Sequence, residues 1–284
     1  MIDEQSAWKR FWNRGGWWRA LLLTATYWGV YELIGLGTST VFAEFIDAGD
    51  PLGTPQSIFC AVALPIMIAS LLLVALAWSL GWLRELFTRQ PVSGRPWMWL
   101  AVVLVIAPVV IRLFATGWSA WTVSSVLVLL FAGLCIGFAE ELLTRGFLVT
   151  LLRKGGSGER TVFLLSSALF ASLHAGNAVT GQPLATVAAT VAYAFGFGAM
   201  MYLALRVTGR LAWVILLHAA TDPTTILATG GIDGVGAAAG SDHLNQLAGL
   251  FSLVYVLFAI VAVFLVKRSE RWSPDGLNAI ERTA

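Results

Sequence analysis

Eight long apolar runs constrain this chain more than any other feature. They fall near 18–37, 58–83, 96–115, 121–151, 161–177, 184–205, 211–229 and 247–266. A helix needs about 20 mainly apolar residues to cross the hydrocarbon core, and most of these runs reach that length. The fourth is longer than one span and contains charge; the fifth and seventh are short and polar at one end. Hydrophobic residues make up 58% of the chain and charged residues 12%, whereas a soluble domain carries roughly twice that charged share. The expected fold is an all-α, polytopic membrane bundle of about eight transmembrane helices. Connectors between the runs are short, so residues 1–284 read as a single membrane domain with no internal repeat.

Charge sets the expected orientation. The N-terminal tail carries Lys9, Arg10, Arg14 and Arg19, and alternate connectors carry Arg84, Arg89 and Arg95, then Arg153, Lys154 and Arg160, then Arg206 and Arg210. The C-terminal tail adds Lys267, Arg268, Arg271 and Arg282. The opposite connectors hold no lysine or arginine, only acids such as Glu44, Asp47, Asp50, Asp233 and Asp242. Of the 18 basic residues, only Arg112 and Arg145 depart from this alternation. By the positive-inside rule both termini lie in the cytoplasm, in a cell membrane. Arg112, near a span end, is expected to snorkel. The first run, flanked by bases and tryptophans, reads as an uncleaved signal-anchor. A net charge of +2 does not suggest nucleic acid as a partner. Cys60 and Cys135 sit in apolar runs and read as buried small hydrophobes.

Ionisable side chains inside spans are costly, and here they form three short motifs. In the fourth run stand Glu140, Glu141 and Arg145. Residues i and i+4 share a helix face, so Arg145 pairs with Glu141 and leaves Glu140 turned toward a neighbouring helix. The fifth run holds Phe170 and His174, and the seventh His218 and Asp222, each pair one turn apart, with Pro223 following. Any one motif alone reads equally well as packing. Depth decides between the readings. At a rise of about 1.5 Å per residue, Glu140 lies roughly 16 Å from Leu151, and His174 roughly 20 Å from Thr161. His218 and Asp222 lie roughly 10 and 17 Å from Leu211 on the same scale. Three spans thus place their polar residues in one layer. A carboxylate and two histidines at one depth are the chemistry of water activation. Glu140, His174 and His218 equally suit a His₂Glu site for a divalent metal such as zinc. A cavity open to the cytoplasm is expected to supply the water.

Glu140-Glu141-Leu-Leu-Thr-Arg145, Phe170-Ala-Ser-Leu-His174 and His218-Ala-Ala-Thr-Asp222 resemble, in order, the three motifs of the CPBP family. These are the CaaX-protease and bacteriocin-processing, or abortive-infection, intramembrane metalloproteases. The resemblance covers roughly 121–229, the expected catalytic core. It implies a hydrolase acting as an endopeptidase on a membrane-associated peptide or lipidated protein. It also implies that Glu140 and His174 activate water, that His218 and Asp222 meet the oxyanion, and that Glu141 and Arg145 shape the site. The family most often has Asn at the position of Asp222. An amide donates a hydrogen bond to an oxyanion, whereas Asp222 must be neutral to do so, or else orient His218 or ligate metal. Two other classes use the same residues: a non-catalytic immunity or peptide-binding scaffold, and a proton-coupled transporter. A transporter would more often show repeated halves, and none is found.

Overall fold

The computed structural model describes residues 6–179, 181–230 and 241–267. The charges at Asp233, Arg268, Arg271 and Arg282 lie outside them. Among the described residues there are helices and no strand. Eight helices are long and apolar enough to cross a membrane: Trp17–Val41, Pro55–Leu80, Pro96–Ala115, Val123–Lys154, Glu159–Ala178, Leu184–Thr208, Leu211–Thr229 and Asp242–Leu265. They are called spans one to eight below. The protein is a multi-pass, all-helical membrane protein, as its apolar runs lead one to expect. Helices satisfy their own backbone in lipid, which is why runs of this length take this form. Cys60 and Cys135 are buried and free.

Prolines explain two irregularities. Pro65 has no N–H to give and its ring crowds the carbonyl four residues back, and Phe59–Ala63 is wound as a π-helix just before it. In span seven Pro223 does the same to Ala219, and the helix divides into Leu211–Ala219 and Thr221–Thr229. Hydroxyls donate to the carbonyls on either side of the break: Thr221 to His218 O at 2.7 Å, and Thr224 to Ala220 O at 2.8 Å.

Span four packs against span seven, and span six against spans five and eight. The contact of four with seven is close because small residues face it. A Cβ on Gly133 would stand 2.2 Å from Pro223 Cγ, and one on Gly137 would stand 2.7 Å from Ala219 N. Small residues spaced in this way let two membrane helices approach backbone to backbone. That approach places the two glutamates of span four against the histidine of span seven.

Candidate active site

Span four changes winding where its charges sit. The α-helix Val123–Glu141 passes into the π-helical stretch Leu142–Leu148, so Arg145 lies on a widened turn. Glu141 is fully buried, and Arg145 is 1% exposed. Arg145 Nη1 lies 3.3 Å from Glu141 Oε1, as the i, i+4 spacing predicts. The same guanidinium donates to Thr144 Oγ1, gives Nη2 to Gly198 O at 2.6 Å, and stacks over the Phe170 ring at 4.8 Å. Gly198 permits this: a Cβ there would stand 3.0 Å from both Arg145 Nη2 and the Phe170 ring. One arginine thus joins spans four, five and six.

Glu141 has a second partner that spacing along one helix could not reveal. Its Oε1 accepts from His218 Nδ1 at 2.7 Å, across 77 residues of sequence. His218 is 2% exposed, and Phe197 and Phe170 flank its ring at 4.8 and 6.1 Å between centroids. With Nδ1 engaged, the ring turns Nε2 toward Glu140 Oε2, 3.6 Å away, and Asp222 Oδ2, 3.7 Å away. Both distances are too long for a direct hydrogen bond and suit groups that share a water. The Glu140 and Asp222 side chains keep 21% and 35% exposure, unlike Glu141.

His174 stands where span five ends its α-helix at Leu173 and continues as the tighter turn His174–Ala178. Its Nδ1 lies 3.3 Å from Phe170 O, and its ring meets Phe170 edge-on at 5.1 Å. Phe170 therefore touches both histidines and Arg145. Glu140, His174, His218 and Asp222 all line one cavity of about 890 Å³. The six expected residues are brought together in two tiers: Glu141 and Arg145 beneath, the other four on the cavity wall. Glu140, His174 and His218 share that wall. Among the described residues, however, no three His, Cys, Asp or Glu side chains are grouped as metal donors would be.

The cavity extends beyond the stretch 121–229. Span one supplies Tyr27, Trp28, Tyr31 and Glu32, span three Arg112, and span eight Asp242, Asn245 and Gln246. Arg112, near the end of span three, also lines this cavity. A lone charge in the third run was the available signal. The cavity also does not open toward the basic connectors as expected. Its floor is His218, and its walls rise along the opposite halves of the spans to Glu32, Thr229 and Asp242.

Residues 121–224 match the family described as type II CAAX prenyl endopeptidase, Rce1-like. The chain is similar to that family where its site lies. This is the resemblance carried by the three motifs, and the matched stretch contains all six residues expected at the site. Spans one, two, three and eight lie outside it, although they wall the cavity. No curated protein and no solved structure matches the chain.

Proposed function

We propose that the protein is an intramembrane endopeptidase that hydrolyses a peptide bond with water activated by Glu140. One observation carries this: His218 is fixed through Nδ1 by Glu141 and faces Glu140 with Nε2 across 3.6 Å, on the floor of a cavity that reaches the surface. A water between the two gives its proton to the Glu140 carboxylate as its oxygen attacks the scissile carbonyl. Glu140 then returns the proton to the leaving amine. His174 and His218 face the same space and can donate to the oxyanion as it forms. Asp222 Oδ2 stands 3.7 Å from His218 Nε2, a distance that one shared water spans, which supports an orienting role. Glu141 and Arg145 position His218 and touch no substrate. The mechanism needs no metal, and no step is routed through one.

Similarity to the Rce1-like family supports a protease, and favours a lipidated or membrane-inserted peptide as substrate. The test is cleavage by purified protein in liposomes, with two quenched probes: a farnesylated CaaX peptide and an unlipidated transmembrane peptide. Cleavage of either, lost by about 10²-fold or more in Glu140→Gln, is the expected outcome. Equal activity of parent and Glu140→Gln would overturn it. Chelation should leave the rate unchanged; restoration of a chelated enzyme by zinc would return the metal to the mechanism.

A further inference from the structure

Three independent features bear on the side from which this cavity is filled. The first is charge. The tails and connectors at one end of the bundle carry the lysines and arginines, and that end faces the cytoplasm by the positive-inside rule. The second is the cavity itself. From its floor at His218 and Glu140 it runs to the other end, past Ile136, Asn177 and Thr225. There it meets Glu32, Asp242 and Gln246, which are exposed. Among the described residues, none from a basic connector lines it.

The third feature is how the basic end is closed. Glu159, fully buried, accepts from Arg153 Nε and Nη2 at 2.8 Å each and from Arg206 Nη1 at 3.1 Å, and also from the Tyr202 hydroxyl. Arg153 Nη1 continues to Gln90 Oε1 at 2.6 Å, and Arg206 Nη2 to Ser93 O at 2.7 Å. The N-terminal segment is stitched on by Gly16 N to Leu151 O at 2.7 Å. Spans four, five and six and the connector before span three are thereby tied together across the cytoplasmic end.

Resting on the endopeptidase reading above, we infer that the protein takes its substrate from the non-cytoplasmic side. The substrate class is a polypeptide already exported or seated in the outer leaflet. Such a chain descends between the polar residues of the mouth to Glu140 and His218. A cytosolic C-terminus has no comparable path through the Glu159 cluster.

Accessibility tests this without a known substrate. In full-length protein with Cys60 and Cys135 replaced by Ala, single cysteines are placed at Thr229→Cys near the mouth, Ile136→Cys in the cavity and Arg89→Cys on a basic connector. A charged, membrane-impermeant maleimide is applied to right-side-out and to inverted membrane vesicles. Thr229→Cys and Ile136→Cys should react at least tenfold faster in right-side-out vesicles, and Arg89→Cys should show the reverse. Labelling of Ile136→Cys from the Arg89 side, or from neither side, would overturn the inference. Thr186→Cys, on the cavity wall in span six, replaces Thr229→Cys if that variant folds poorly. The pattern should persist in Glu140→Gln, so loss of catalysis and loss of the access route are separately visible.

Discussion

At the scale of single residues, the two adjacent glutamates show how position divides labour between identical side chains. Glu140 keeps contact with the cavity, while Glu141 is buried and shared by Arg145 and His218. Replacing Arg145 by Ala leaves the Glu141 carboxylate without its counter-charge at a buried site, a loss on the order of 3–5 kcal/mol. The melting temperature of Arg145→Ala in detergent should fall, together with activity. Glu140→Gln should melt like the parent, and a parental melting curve for Arg145→Ala would refute the ion-pair role. Glu141→Gln separates the functions further, because its amide oxygen still accepts from His218 Nδ1 while the charge is gone. It should lose stability yet retain more activity than Glu141→Ala, read as cleavage per folded molecule. The pairing of Glu141 with Arg145 was legible in the sequence because one helical turn connects them. The bond from Glu141 to His218 was not, since it depends on how two spans 77 residues apart are pressed together.

At the scale of elements, that pressing-together is the work of glycine. Gly133 and Gly137 turn bare backbone toward Ala219 and Pro223, and a side chain at either would meet main-chain atoms that cannot swing aside. Gly137→Val should therefore push span four off span seven and cost about 1–3 kcal/mol. It should also widen the gap between Glu141 and His218 and lower activity beyond the loss of folded protein. Gly29→Val in span one is the matched control, since a Cβ there has no neighbour within 4 Å. If both variants melt and cleave alike, the close approach does not hold the site. Span number and helical character were legible because apolar length is counted directly from sequence. The π-helical stretch Leu142–Leu148 and the break at Ala220 were not, although Pro223 gave notice of the second. Winding of this kind answers to neighbours on other spans, such as Gly198 and Phe170 around Arg145, and periodicity within one run does not contain them.

At the scale of the whole molecule, most buried charges among the described residues fall into two clusters with different work, with Arg19 apart from both. One surrounds His218 at the cavity floor; the other surrounds Glu159 at the basic end. The basic residues were legible as a topological signal, and Arg153 and Arg206 do lie at that end, but their convergence on one carboxylate was hidden in two separate connectors. The cavity walls contributed by spans one and eight were hidden for the same reason. Glu159 is 15 residues before His174 along span five, roughly 22 Å at the rise of an α-helix, so its cluster has no contact with the chemistry. Glu159→Ala leaves Arg153 and Arg206 buried without their carboxylate, and the protein should lose on the order of 3 kcal/mol. Cleavage per folded molecule, measured below the new melting temperature, should match the parent. Glu159→Gln should fall between the two in stability, because it keeps an acceptor for the guanidiniums but no charge. Placed beside Arg145→Ala, the comparison divides the molecule: one lost ion pair removes stability and activity together, the other stability alone. An unchanged melting curve for Glu159→Ala would show that the basic end is not held by this cluster. A fall in cleavage per folded molecule would show that the two ends of the bundle are coupled.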